Sequence, residues 1–173
     1  MEIVELDASL VDAAAQLLVD EFASWPALDV ARAEVEYVLR EGFARGAVDG
    51  GALLGWIGGL PEYDGHVWEL HPLVVRRDSW RRGIGRRLVA AFEAEARARG
   101  AYTATLGTDD VDGMTSLSNV DLYRDIPAHL RDLRDLGRAH PFLFYRKLSY
   151  VVTGVMPDAN GPGKPDIYMS KRL

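Results

Sequence analysis

The strongest chemical signal in the chain is the segment Val74-Val75-Arg76-Arg77-Asp78-Ser79-Trp80-Arg81-Arg82-Gly83-Ile84-Gly85-Arg86-Arg87-Leu88. A strand-like run enters a loop with Gly-x-Gly at the mouth of an amphipathic stretch. Ile84, Leu88, Ala91 and Phe92 form its inner face, and Glu93 pairs with Arg97 at i,i+4 on the outer face. Glycines at such a junction let several backbone N–H groups point at one anion, and the helix dipole adds about half a positive charge there. Six arginines fall between Arg76 and Arg87, a concentration suited to a pyrophosphate or a nucleotide 3′-phosphate. A strand–helix turn with a solvated arginine face would carry the glycines equally well. The preceding strand and the arginine cluster together favour the anion. No Gly-Lys-Ser/Thr follows, as a P-loop needs. The dinucleotide fingerprint lacks its third glycine and its acidic residue.

Glu69 and His71 interrupt an otherwise apolar strand. Alternation places Trp68, Leu70, Pro72 and Val74 on one face, and Glu69, His71, Leu73 and Val75 on the other. Burying a carboxylate costs free energy unless it is paired. Glu69 therefore reads as a base kept for chemistry, as half of a structural Glu–His hydrogen bond, or as a sheet-edge charge. His71 is open to binding a ligand or orienting a neighbour. Asp109 and Asp110 close a strand; such a pair grips ammonium groups, or starts a turn and caps a helix. Phe142-Leu143-Phe144-Tyr145 reads, on its own, as core packing that includes one phenol. His66, His129 and His140 have no metal-ligand spacing, and no metal is expected.

The elements that position these residues follow from periodicity. A short β pattern (Ile3, Val4, Leu6) opens the chain, and helices are predicted over Val11–Ala23 and Val30–Phe43. Gly46–Leu60 reads as a hairpin turning at Asp49-Gly50-Gly51. A strand over His66–Val75 leads to a helix over Gly83–Arg99 that Gly100 stops. Ala101–Leu106 is strand-like, Asp109–Leu122 a loop, Pro127–Leu136 a helix and Pro141–Leu148 a short helix. Strands over Tyr150–Met156 and Asp166–Ser170 follow. The alternation indicates an α/β layer with a mixed sheet.

The whole is 173 residues, 48% hydrophobic and 27% charged, which predicts a single globular domain. Acidic residues outnumber basic ones 26 to 20, for a net charge of −6, which argues against nucleic acid and anionic membranes as partners and suits a cationic one. The absence of cysteine excludes disulfides, thiolate metal sites and a cysteine nucleophile. The N-terminus shows no signal-peptide pattern, and the longest apolar stretch, Gly50–Leu60, falls short of the roughly 20 residues of a membrane span. A cytoplasmic protein is expected.

The glycine loop resembles the acetyl-CoA loop of the GCN5-related N-acetyltransferase superfamily, Gln/Arg-x-x-Gly-x-Gly/Ala. Gly83 and Gly85 match its glycines, and Trp80 departs from the Gln/Arg position. Further segments are similar to one subgroup, the aminoglycoside 6′-N-acetyltransferases of antibiotic resistance. They are Trp68 to Val75, Leu106 to Asp110, Ser116-Leu117-Ser118 with Asp121-Leu122-Tyr123, His140-Pro141-Phe142 with Phe144-Tyr145, and Pro157 to Gly161 through Lys164 to Ile167. Ser149 departs where the subgroup usually shows glycine.

The resemblance implies a mixed, largely antiparallel central sheet flanked by helices, acetyl-CoA as co-substrate, direct transfer to the 6′-amine of an aminoglycoside, and a homodimer. It implies Glu69 as base and ligand for the antibiotic's amines, and Tyr145 as general acid toward the leaving thiolate. The acetyl carbonyl would lie on the N–H groups of Leu73, Val74 and Val75, and the pyrophosphate on Arg81, Arg82, Gly83, Ile84, Gly85 and Arg86. His71, Asp109 and Asp110 would meet the acceptor, with Trp25 and Tyr63 as walls for a sugar ring. The same fold acting on a polyamine or peptide amine is an alternative acceptor reading, and a non-catalytic acyl-CoA sensor is an alternative of another class.

Overall fold

The computed structural model describes residues 1–173. The chain divides into two compact units, residues 1–104 with Leu173, and residues 105–172. The first holds β1 (Glu2–Glu5), α1 (Val11–Glu21), α2 (Leu28–Glu41), β2 (Phe43–Asp49), β3 (Ala52–Glu62), β4 (Val67–Val75) and α3 (Ile84–Ala98). The boundary falls inside β5 (Thr103–Asp109), and the second unit adds α4 (Ile126–Arg131), α5 (Phe142–Arg146), β6 (Val151–Met156) and β7 (Asp166–Arg172). The strands form one seven-stranded, mostly antiparallel mixed sheet in the order β1-β2-β3-β4-β5-β7-β6. No helix is long and apolar enough to cross a membrane.

Strands β1 to β4 form an antiparallel meander. The predicted hairpin turn is made by Gly50 and Gly51 with φ 56° and 82°, the left-handed pair that a two-residue connection demands. Apolar residues on both faces of β3 bury it from each side. Toward α1 and α2, Trp56 and Leu60 join Ala14, Leu18, Val35 and Val38 in one cluster, and the Trp56 indole N–H donates to the Ala14 carbonyl at 3.1 Å. Toward α3, the Phe43 ring lies 5.7 Å from Phe92 and 5.0 Å from Trp68. Helix α3 ends at Ala98 with Arg99 as its C-cap, and Gly100 follows with φ 90°.

Burial in β4 alternates from Val67 to Val75 as predicted, but its faces do not. Between the pairs Ile57–Leu73 and Gly59–Leu70, β3 supplies one residue, Gly58, and β4 supplies two, His71 and Pro72. This is a β-bulge, where a proline costs no ladder hydrogen bond. Gly58 has to be glycine, because a Cβ there would run into the His71 carbonyl oxygen. Directly paired residues share a face, so Glu69 opposite Leu60 and Val74 opposite Trp56 both point toward α1 and α2. The expected single face of Glu69, His71, Leu73 and Val75 is thus split at the bulge.

In the second unit the helix expected over Pro127–Leu136 stops at Arg131. Asp125 caps its start by accepting from the Ala128 N–H at 3.0 Å. Beyond Arg131 the chain pairs instead with residues 114–116: Thr115 bridges Asp135, and the Leu136 N–H donates to the Met114 carbonyl at 2.8 Å. Ser149, between α5 and β6, has φ 70°, a region that favours glycine. Ser149→Gly should stabilise the protein by about 1 kcal/mol, seen as a melting temperature a few degrees higher. A lower melting temperature would show that the serine side chain contributes more than the strain costs.

Candidate active site

The first unit carries a carboxylate-rich face beside an anion-binding loop. Glu69 is half-buried and makes no hydrogen bond within the protein. Burial pushes its carboxyl above the usual glutamate range; the charge of His71 opposes this, and those of Glu62 and Glu34 add to it. The His71 ring Nε2 lies 3.1 Å from Glu34 Oε1 on α2. Trp25 stands against His71 with ring centroids 6.3 Å apart, and Phe22 meets Trp25 edge-on at 5.4 Å. Nothing in the sequence marks Glu34 or Glu62. Glu34 lies among the ordinary charges of an amphipathic helix, and only the packing of α2 on the sheet brings it to His71. Tyr63 sits in the turn after β3, 76% exposed and without a ring contact, so it is not packed as a wall.

At the end of β4, successive N–H groups of Leu73, Val74 and Val75 point alternately toward β3 and away from it. The Val75 carbonyl accepts from the Trp80 indole N–H at 2.6 Å, and the Arg77 guanidinium covers that ring at 5.5 Å. Trp80 thus fastens the loop to the strand. The Arg77 N–H donates to Glu21 Oε1 at 2.8 Å, Arg76 pairs with Asp78 at 2.7 Å and Arg82 with Asp49 at 3.5 Å. Arg81 and Arg86 are exposed and form no ion pair.

Gly83 takes φ 80°, and a Cβ there would touch nothing within 4 Å, so the glycine is required by backbone angle rather than by space. No side chain caps α3, which leaves the first-turn N–H groups of Ile84, Gly85 and Arg86 open to an anion. The Ile84 side chain is buried, so it offers only its main chain. Bare N–H groups at a helix terminus with two uncommitted guanidiniums fit a pyrophosphate.

In the second unit the two aspartates separate. Asp110 is fully buried and accepts from the Met114 and Thr115 N–H groups at 2.7 and 2.8 Å and from the Ser118 hydroxyl at 2.6 Å. Burial would raise its carboxyl, but these donors outweigh it and hold it below the usual aspartate range. Asp110 therefore anchors its loop and has no surface to offer an acceptor, which narrows the expected pair to Asp109. Asp109 is exposed, and its Oδ1 accepts from the Asn160 amide at 2.5 Å.

His140 Nε2 lies 3.0 Å from the Asp109 carbonyl, while Nδ1 accepts from the Phe142 N–H at 3.2 Å, so Nε2 carries the proton. That buried ring ties the end of β5 to the start of α5, a link the sequence does not signal. Tyr145 in α5 is buried between Phe144 at 5.0 Å and Tyr150 at 5.8 Å. Its hydroxyl makes no hydrogen bond within the protein, and burial pushes it well above the usual phenol value. No three His, Cys, Asp or Glu side chains gather into a metal-holding group.

An open anion-binding helix terminus behind a bulged strand that presents a half-buried carboxylate is the equipment of a transferase fed by a phosphorylated carrier. The chain belongs to the acetyltransferase (GNAT) family, whose model matches residues 11–123. It is an acetyl-CoA-dependent N-acetyltransferase. Among solved structures it is similar to an aminoglycoside 6′-N-acetyltransferase complexed with coenzyme A, at 43% identity and a TM-score of 0.92 over 99% of this chain and 97% of that one. It is likewise similar to the aminoglycoside 6′-N-acetyltransferase from Enterococcus faecium, at 43% identity, a TM-score of 0.91 and the same coverage. An aminoglycoside 6′-acetyltransferase type Ii matches at 37% identity and a TM-score of 0.78 over 99% of this chain and 97% of that one. None of the curated proteins compared with it matches.

Proposed function

We propose that this protein transfers acetyl from acetyl-CoA to the 6′-amine of aminoglycosides and thereby confers resistance to them. The observation that carries this reading is similarity at 37–43% identity, over nearly the whole chain, to three proteins solved as aminoglycoside 6′-acetyltransferases. The charges agree with it. Glu34, Glu62 and Glu69 give one face a negative field suited to a polycation, while the arginine loop suits the anionic co-substrate.

In this reading the first-turn N–H groups of α3, with Arg81 and Arg86, hold the pyrophosphate, and main-chain N–H groups of Leu73 to Val75 orient the acetyl carbonyl. The acceptor nitrogen bonds to the carbonyl carbon as the carbon–sulfur bond breaks. Glu69, directly or through a water, takes the proton that the amine loses, and the Tyr145 O–H donates a hydrogen bond to the departing sulfur. His71, Trp25 and Asp109 bind the acceptor. A cytoplasmic homodimer belongs to the same reading and is checked by sedimentation of the purified chain.

Purified protein should release CoA thiol from acetyl-CoA when given kanamycin or tobramycin. Turnover on spermine or a peptide, with no stimulation by any 6′-amino aminoglycoside, would transfer the assignment to another amine. Binding of CoA with no acceptor at all would make the protein a sensor.

A further inference from the structure

Glu34 is the one charged residue of α2 that reaches the acceptor face of the sheet. Of the other charges of that helix, Arg32 pairs with Asp12 and Glu36, Arg40 pairs with Glu41, and Asp29 is exposed in the first turn. The Glu34 side chain is 24% exposed, and its one hydrogen bond is to His71. A largely covered carboxylate beside Val35 and Val38 is a poor choice for stability, since an apolar residue would pack there without the desolvation cost.

What the carboxylate achieves is orientation. An imidazole half in solvent turns freely about its χ angles; here Nε2 is held at 3.1 Å and the Trp25 ring flanks it. His71, two residues along β4 from Glu69 and the first residue of the bulge, turns its ring to the side of α2, where Glu34 meets it. We propose that Glu34 is a positioning residue that pins the His71 ring beside Glu69, so that the face meeting the acceptor amine is preformed. This rests on the reading of Glu69 as the base. The charged groups acting on Glu69 are Glu34 from α2, Glu62 from β3 and His71 from β4 itself. Of these only His71, when charged, favours the ionised carboxylate, so a wandering ring would deprive the base of its one supporting neighbour.

The test is steady-state kinetics on Glu34→Ala, Glu34→Gln, His71→Ala and the Glu34→Ala/His71→Ala pair, with Glu69→Gln alongside and a thermal melt of each. Glu34→Ala should lower kcat about tenfold while leaving the KM for acetyl-CoA unchanged, the scale of one lost charge-assisted hydrogen bond. Glu34→Gln should recover most of that loss, because its amide oxygen still accepts from Nε2–H. In the His71→Ala background, Glu34→Ala should cost nothing further. An undiminished loss in that background would show that Glu34 acts without His71 and overturn the proposal, as would normal kinetics in Glu34→Ala. Full activity of Glu69→Gln would instead remove the base, a failure read on a separate variant.

Discussion

Glu69→Gln is expected to lower kcat/KM for the aminoglycoside by two to four orders of magnitude, roughly the contribution of a positioned general base, while leaving the protein no less stable. The two effects have one origin. Glu69 is half-buried and makes no hydrogen bond, so its ionised form is disfavoured in the folded protein, which raises its pKa above that of the unfolded chain. The resulting cost to folding is present above the folded pKa and absent below the unfolded one, about 4.3 for a glutamate. Glutamine removes that cost at neutral pH, so the variant should melt at or above the wild-type temperature at pH 7.5, and the two should converge near pH 4.

Activity follows the opposite logic. A base must be ionised, so wild-type kcat/KM should fall on acidification with a midpoint above the ordinary glutamate value, and the variant should lack that limb. A lower melting temperature with most activity kept would make Glu69 structural.

Tyr145→Phe should lower kcat by about a hundredfold, the scale of one lost donor to developing negative charge, with binding of acetyl-CoA nearly unchanged. Burial holds the phenol protonated well above its usual value of about 10. Complete proton transfer to a thiolate, whose conjugate acid titrates near 8.5, is therefore uphill. In the proposed mechanism the phenol is therefore a hydrogen-bond donor, and the sulfur takes its proton from solvent after departure. One corollary is that no basic limb below about pH 10 should trace to this group. Kinetics with a direct CoA binding measurement decides the matter: parallel loss of binding and turnover would assign the ring to packing between Phe144 and Tyr150.

The parts of this site that depend on local rules were legible in the amino-acid order. Gly100 after α3 and the Gly50-Gly51 turn took the backbone angles their contexts predicted, and Gly83 stands before α3 where the glycine loop was expected. The features that depend on contacts across the fold were not. Glu34 looks like any polar residue of an amphipathic helix until α2 is packed on the sheet. Asp109 and Asp110 look equivalent until the loop folds back and gives Asp110 three donors. The predicted helix beyond Arg131 was lost to pairing with residues 114–116, a non-local competitor that periodicity cannot register. Alternation in β4 predicted burial correctly and facing only in part, because both sides of the strand are covered and a bulge leaves the burial pattern intact.

That bulge has a genetic consequence. Strand β4 is written in two phases joined at His71-Pro72, one carrying Glu69 and the other carrying Val74 to the same side. Loss of a single codon at the join would merge the phases. With Val74 kept in place, Glu69 would stand an even four residues away and keep its side, so the loss would straighten the strand without turning the carboxylate into the aromatic cluster of Phe43, Trp68 and Phe92. Point replacements at Glu69 or His71 leave the phases untouched. Substitutions can therefore retune the acceptor face residue by residue, and the join at His71-Pro72 is the place where this strand can change length without changing which way Glu69 faces.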